Sequence, residues 1–515
     1  MVRRQIAIRG FAICASLVTA ASLSAQVLGT ISFPTSGAAA AQPSFIEGVK
    51  DLHSFEFDEA AAAFRKAQQI DPGFALAYWG EAMSFNHPLW AQQDLPAARK
   101  ALERLAATPE ARLAKAPTEK EKAYLEAVNQ LFYAPGDKLA RDNAYSEAMA
   151  RSYERWSDDH EVAIFYALSL LGTVRPQDKG FRRQALAASI ALKVFQENPQ
   201  HPGAAHFIIH AFDDPDHAIL ALPAARVYAK IAPAAPHALH MPSHIFVQLG
   251  MWQDVKASNI VAYQAATDLI ERMHLPEGRE DFHTLSWLEY ANLMLGTFEE
   301  AKKNVDLAKQ AVARNPQNAN LGQQYHAMLA RYILETGKWE KIPLEESAAA
   351  GSSEHSSMPG MGGGYAGQGA WIFIAGLSAA KLGDPGQAER ARSMLAAIRQ
   401  RMESAGDAYG AKPFGIMENE VASAAYLVRG QDAEAVRLAK EAADLESTLA
   451  APSGPPEPIK PALEFYGEVL LAANRPADAA AAFRQELLRT PNRRPSVEGL
   501  ARAGVKAGGA GAIAK

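Results

Sequence analysis

At 515 residues the chain exceeds what one hydrophobic core can support, so it is either multi-domain or an elongated repeat array. Its 48% hydrophobic and 21% charged residues are ordinary for a soluble protein. The formal charge of −5 argues against nucleic-acid binding, which relies on clustered Lys and Arg.

The first 25 residues predict a cleavable export signal. Arg3, Arg4 and Arg9 form its basic region, Phe11 to Leu23 its apolar region, and Leu23-Ser24-Ala25 a small-residue end before Gln26. The apolar run is too short for a comfortable membrane span, and no later stretch is long and apolar enough for one. Cleavage would remove Cys14, the only cysteine, leaving no disulfide and no thiolate ligand. It would also remove three arginines, taking the formal charge from −5 to −5 − 3 = −8. The expected location is periplasmic or secreted.

Residues 26–43 lack periodicity and predict a flexible lead-in. Ala-rich helical texture follows, with little β-branched alternation. FDEAAAAFRKAQQIDP (57–72) places Ala60 and Ala67 around Phe64 and ends on a proline; ALAYWGEAM then begins a new helix. Pro199 and Pro233 end successive units 34 residues apart. Turn glycines at 250, 296, 337, 383 and 430 follow at intervals of 46, 41, 46 and 47, so the later units carry insertions.

Seven of the 14 histidines fall between His201 and His244. His206 and His210 are four apart, and His240 and His244 repeat that pair 34 residues later, with His237 three before His240. Residues three and four apart share a helix face, and residues one period apart occupy equivalent places in stacked repeats. An i, i+4 histidine pair is a natural chelate, so two registered pairs on adjacent helices predict four imidazoles around one transition-metal ion, with His237 or His283 as a further ligand. An all-nitrogen set suits Cu, Zn or Fe and not Mg or Ca. The acidic run that follows offers Asp213, Asp214 and Asp216 as carboxylates to orient the imidazoles. His53 and His87, also 34 apart, are placed near the groove end of their helices. HEVAI at His160 lacks the second histidine of a zincin helix and reads as a surface turn, and His326 reads as a packing residue.

Residues 346–369 interrupt the helical texture as a Gly-, Met- and Ser-rich loop. His355, Met358 and Met361 make it a candidate lid or soft-metal segment. Helical hairpins resume over 370–491, and 492–515 reads as a capping helix fraying into a disordered tail.

Eight or nine such units across residues 44–491 resemble the tetratricopeptide (TPR) superfamily. That resemblance implies an all-α fold, a right-handed α-solenoid of helical hairpins with inserted loops. It assigns the histidines to the helices that line a concave groove, and divides the array into 44–345 and 370–491. More narrowly, WGEAMSFNHPLW with HPGAAHFIIHAFDDPDHA and APHALHMPSHIF resembles a group of exported bacterial TPR proteins, which keeps the histidines together without naming a reaction. TPR grooves as a class bind peptides or proteins, but histidines stand here where Lys, Arg and Asn usually clamp a carboxylate. The expected function is a groove that binds a transition metal through paired histidines. It would serve as a metal-handling protein or as a metal-dependent hydrolase or oxidase. The alternatives are a metal-free scaffold for a partner protein or peptide, and a small-molecule groove with acid–base histidines.

Overall fold

The computed structural model describes residues 27–176, 178, 180–275, 278–344 and 366–504. The described chain is all-α apart from one short antiparallel ladder, Asn86–His87 against Gln92–Gln93. Each helix packs on the next in sequence, and alternate helices also pack on one another. Gln42–His53 meets Ala75–Met83, His160–Gly172 meets Pro202–Ala211, and Phe282–Met294 meets Ala319–Thr336. This is the layering of a solenoid of TPR-like hairpins, with an inner and an outer row of helices.

The two rows follow from their composition. The outer helix Phe298–Arg314 is amphipathic, burying Ala301, Asn304, Val305, Ala308 and Ala311 along one stripe. Two of the inner helices are buried almost all round. Pro202–Ala211 is buried at every position except His210, and Phe282–Met294 at every position except His283 and Ser286. A helix apolar on all sides belongs inside a structure. The inner row is therefore packed on both sides, and one apolar cluster runs from Leu28 and Phe55 through this helix to Tyr332.

Two segments differ from their sequence-based expectation. Residues 26–43 were expected to be a flexible lead-in, but from 27 on they form an ordered strap. Leu28 and Phe33 are buried, Thr30 N donates to Gln200 O at 2.9 Å, and the Ser36 N and Oγ donate to Glu121 at 2.7 Å. Two apolar anchors and paired backbone groups outweigh the low helical periodicity. The helix expected from residue 370 begins at Ala366, and the remainder of the glycine-rich loop, with His355, Met358 and Met361, lies outside the described residues, as do the signal segment 1–25 and the tail from 505. The capping helix is Arg494–Arg502.

The C-terminal hairpins also reach back across the array. Trp252 Nε1 donates to Asn492 O (2.8 Å), Arg494 Nε to Leu293 O (3.1 Å), and Gln248 Nε2 to Pro452 O (2.8 Å). The fully buried Arg493 is the centre of this closure. It donates to Glu464 at 2.9 and 3.0 Å, to Glu335, and to the Tyr290 hydroxyl at 3.3 Å. Removing one partner of a buried ion pair leaves uncompensated charge, so Arg493→Ala is expected to cost roughly 3–5 kcal/mol. Urea unfolding of the variant against the wild type measures it. A loss below about 1 kcal/mol, the range of an exposed pair, would show that the clasp is not an essential closure.

Candidate metal centre

Local sequence sets the helix starts that carry the site. Asp159 Oδ1 accepts from the amides of Glu161 and Val162, His201 Nδ1 accepts from Ala204 N, and Asp281 Oδ1 accepts from Thr284 N. Each is an N-cap that satisfies amides the helix itself leaves free. The helices begun in this way present Glu161, the pair His206 and His210, and His283. Proline at the first helical position starts Pro202–Ala211, Pro236–His240 and Pro242–Gln248.

Six imidazoles converge in two groups of three. In the first, His206 Nε2 lies 3.0 Å from His210 Nε2 and 3.1 Å from His237 Nε2. In the second, His240 Nε2 lies 3.1 Å from His244 Nε2 and 3.0 Å from His283 Nε2. Three nitrogens placed tetrahedrally at the usual zinc–imidazole distance of about 2.0–2.1 Å stand about 3.4 Å apart. The groups thus have close to the spacing of ligands around one ion each.

This corrects the expectation of four imidazoles around a single ion. Each i, i+4 pair instead takes its third member from the following unit. The segment bearing His237, His240 and His244 is split between the groups, with His237 turned to the first and the other two to the second. Its helix is interrupted at Met241-Pro242, where proline has no amide to donate.

The Nδ1 atoms of three ligands are committed elsewhere. His206 donates to the His53 carbonyl (2.6 Å), His240 to Asn259 Oδ1 (2.7 Å), and His244 to Asp213 Oδ2 (2.7 Å). With Nδ1 protonated, the neutral ring has its lone pair on Nε2, aimed at the centre. Asn259 Nδ2 donates to Val255 O at 2.8 Å, which leaves its oxygen as the acceptor for His240. Asp213 also accepts from Gln248 at 3.2 Å.

The other acidic candidates do not reach the centre. Asp214 accepts from His217 Nδ1 at 2.8 and 2.9 Å, and Asp216 is exposed on the turn. Asp214 Oδ1 also accepts from the amides of Asp216 and His217, which keeps that carboxylate within its own turn.

A third cluster stiffens the first group from behind. His53 Nε2 donates to Glu161 Oε2 at 2.7 Å and His201 Nε2 to Glu161 Oε1 at 3.2 Å, all three residues being fully buried. Burial alone would raise the Glu161 carboxyl, but the two imidazoles outweigh it and hold the group down at about 2. His53 therefore does not face a groove as expected; it is locked in the core, and its main-chain carbonyl positions His206. Gly203 permits this, because a Cβ there would lie 2.7 Å from His53 Nδ1. HEVAI is correspondingly not a surface turn but the start of a helix that turns Glu161 inward. His87 lies in the short ladder, stacked on Phe57 at 4.0 Å, and His326 stacks on Trp371 at 4.4 Å as a packing residue.

Aromatic rings enclose the centre. Phe55 meets His206 edge-on at 4.4 Å and stacks on His210 at 5.7 Å, and it adopts φ +57°, a conformation costly for a bulky residue. Its neighbour Glu56 accepts from His237 N at 3.0 Å, and burial pushes its carboxyl up to about 8. Trp287 lies 4.4 Å from His244 and 5.0 Å from His240. Gly454, in the proline-rich 451–461 segment, packs so closely on Trp287 that a Cβ would lie 2.4 Å from Cζ2. Sequence reasoning missed Glu161, His201, Asn259, Phe55 and this covering segment. Only the buried-acid character of Glu161, in the otherwise apolar stretch EVAIFYALSLL, was a readable signal.

No protein-family model matches the chain, and no curated protein matches it. Solved helical-repeat structures that it resembles include yeast Tom70, at 11% identity and TM-score 0.31 over 90% of this chain and 95% of that one. Another is a Rap protein complexed with competence and sporulation factor, at 12% identity and TM-score 0.32 over 79% and 99%. A third is the human IFIT1 dimer with m7Gppp-AAAA, at 11% and 0.31 over 88% and 91%. These likenesses are confined to repeated helical layering and carry no argument about the centre.

Burial lowers the imidazoles of His206 and His283 to about 3 and about 4, and those of His210, His237 and His240 well below their ordinary value. The unfolded chain takes up protons near pH 6.5, before these folded imidazoles do, so metal-free protein loses stability as pH falls from about 6.5 toward 4. A His206→Asn/His283→Asn variant, lacking two of these groups, is expected to show a shallower fall in Tm over that window. An identical slope would refute the assignment. Separately, Glu161→Gln turns an amide N–H onto a ring N–H, and is expected to lower stability by roughly 2–3 kcal/mol in a urea titration; an unchanged midpoint would remove Glu161 from the support of His206.

Proposed function

We propose that the six-histidine cluster is the transition-metal centre of an exported helical-repeat protein, each three-histidine group holding one ion. The observation that carries this is the convergence of three Nε2 atoms in each group, with outward Nδ1 donations fixing the tautomer of three rings. His206 and His240 are fully buried, and His210, His237, His244 and His283 are mostly buried, the His244 side chain being 12% exposed, so only a small ligand reaches the centre. Three protein ligands per ion leave a coordination position open, the arrangement of catalytic rather than structural sites. This favours a metal-dependent enzyme, an oxidase or a hydrolase, over storage in a closed shell. Export rests on the basic and apolar segments of residues 1–25, and the mature protein is expected to begin near Gln26 on N-terminal sequencing. No helix among the described residues is long and apolar enough to cross a membrane.

The second reading, a metal-free scaffold for a protein or peptide, draws on the stacked-hairpin layering itself. Against it, the inner helices near the centre are buried around almost their whole circumference, leaving little groove wall for a peptide.

The test is elemental analysis of untagged protein purified without chelator, beside a His240→Ala/His244→Ala variant. Near-stoichiometric metal in the wild type and loss of the second group's share in the variant are the expected results. A folded wild type that contains no metal and takes up no added Cu, Zn or Fe would sink the metal reading and leave the scaffold.

A further inference from the structure

We infer that the two groups form one dinuclear copper centre whose exchangeable ligand is dioxygen bound between the ions. This rests on the metal reading above and deepens it.

The first ground is proximity. Within each group the rings that meet His206 or His240 stand 4.7–5.0 Å apart, and the groups adjoin one another: His210 and His244 have centroids 6.0 Å apart and His237 and His240 6.3 Å, no wider than the outermost pair inside either group, 6.4 Å for His210–His237 and 6.3 Å for His244–His283. Ions held by the two groups are therefore neighbours. Neighbouring ions with open positions are suited to one small bridging ligand.

The second ground is the donor set. Each group is three neutral imidazoles, and among the described residues neither includes a carboxylate oxygen. The one carboxylate touching a ligand ring, Asp213, accepts a hydrogen bond at Nδ1 and faces away from the centre. Paired iron ions in helical proteins are characteristically bridged by glutamates, which neutralise their charge. Three neutral imidazoles hold monovalent copper, and they hold divalent ions as well; among the divalent ions copper heads the affinity order for nitrogen donors, ahead of zinc. The walls oppose loss of reactive species to water: Phe55, Trp90 and Trp287 flank the rings.

The step balances without a further co-reactant. Two cuprous ions each give one electron to dioxygen, which becomes a bridging peroxide; the O–O double bond becomes single, no proton moves, and both ions become cupric.

The experiment loads chelator-stripped full-length protein with cuprous ion without oxygen, counts bound copper, then admits dioxygen. Expected are two coppers per chain and, on oxygenation, an intense near-ultraviolet absorption band with no cupric paramagnetic signal, because bridged ions couple their spins. His283→Ala and, independently, His237→Ala should each retain one copper per chain and lose the band, with circular dichroism reporting whether each folds. One copper per wild-type chain, or two with the full paramagnetic signal of isolated ions, would overturn the dinuclear inference while leaving metal binding intact. Two zinc ions held against excess copper would overturn the copper assignment alone. No bound ion of either kind would overturn the metal reading with it.

Discussion

The centre depends on three outward hydrogen bonds from imidazole Nδ1 atoms. An unrestrained neutral histidine can have its proton on either nitrogen, and its ring can turn. Donation to the His53 carbonyl, to Asn259 and to Asp213 removes both freedoms for His206, His240 and His244. The lone pair of His206 is then directed into the first group and those of His240 and His244 into the second, by residues that belong to neither group. Each acceptor is itself restrained: His53 by Glu161, Asn259 by its own donation to Val255 O, and Asp213 by Gln248. The precision of such a site lies as much in these partners as in the ligands.

That support is distributed along the whole solenoid. His53 belongs to the first hairpin, Glu161 to a helix more than a hundred residues later, and Gln248 joins Asp213 to the Pro452 carbonyl of the C-terminal segment. The buried Arg493 clasp and the N-terminal strap then hold remote units in fixed relation. An open solenoid transmits only neighbour contacts and flexes along its length. The closure here turns an extended architecture into one with a packed interior, which is where the six imidazoles converge. The cost is visible at Phe55, whose left-handed backbone conformation is held while its ring lies among His206, His210 and His237.

Much of this was legible in advance, and for definable reasons. The helical-hairpin class followed from the 34-residue interval and the recurrent turn glycines, because each hairpin buries its faces against the next and so repeats its pattern. The adjacency of the His206–His210 pair to the His240–His244 pair followed from register, although each pair completes a separate group. Register misleads where a helix breaks: the spacing puts His237 on one face with His240 and His244, whereas the segment is interrupted at Met241-Pro242 and His237 turns toward His206. Likewise, Asp214 and Asp216 read as neighbours of the cluster by sequence, but their turn directs one to His217 and the other to solvent.

The sequence by itself determined the local elements: which segments are helices, where caps and prolines start them, and which residues fall at equivalent places one period apart. Those properties depend on near neighbours and on a repeat that can be counted. Tertiary structure alone decided the division into two groups of three, the choice of Asp213, Asn259 and the His53 carbonyl as orienting partners, and the covering of Trp287 by Gly454. These contacts join residues separated by up to 454 − 287 = 167 positions, and their geometry is set by the curvature of the solenoid and its closure, which no local pattern encodes.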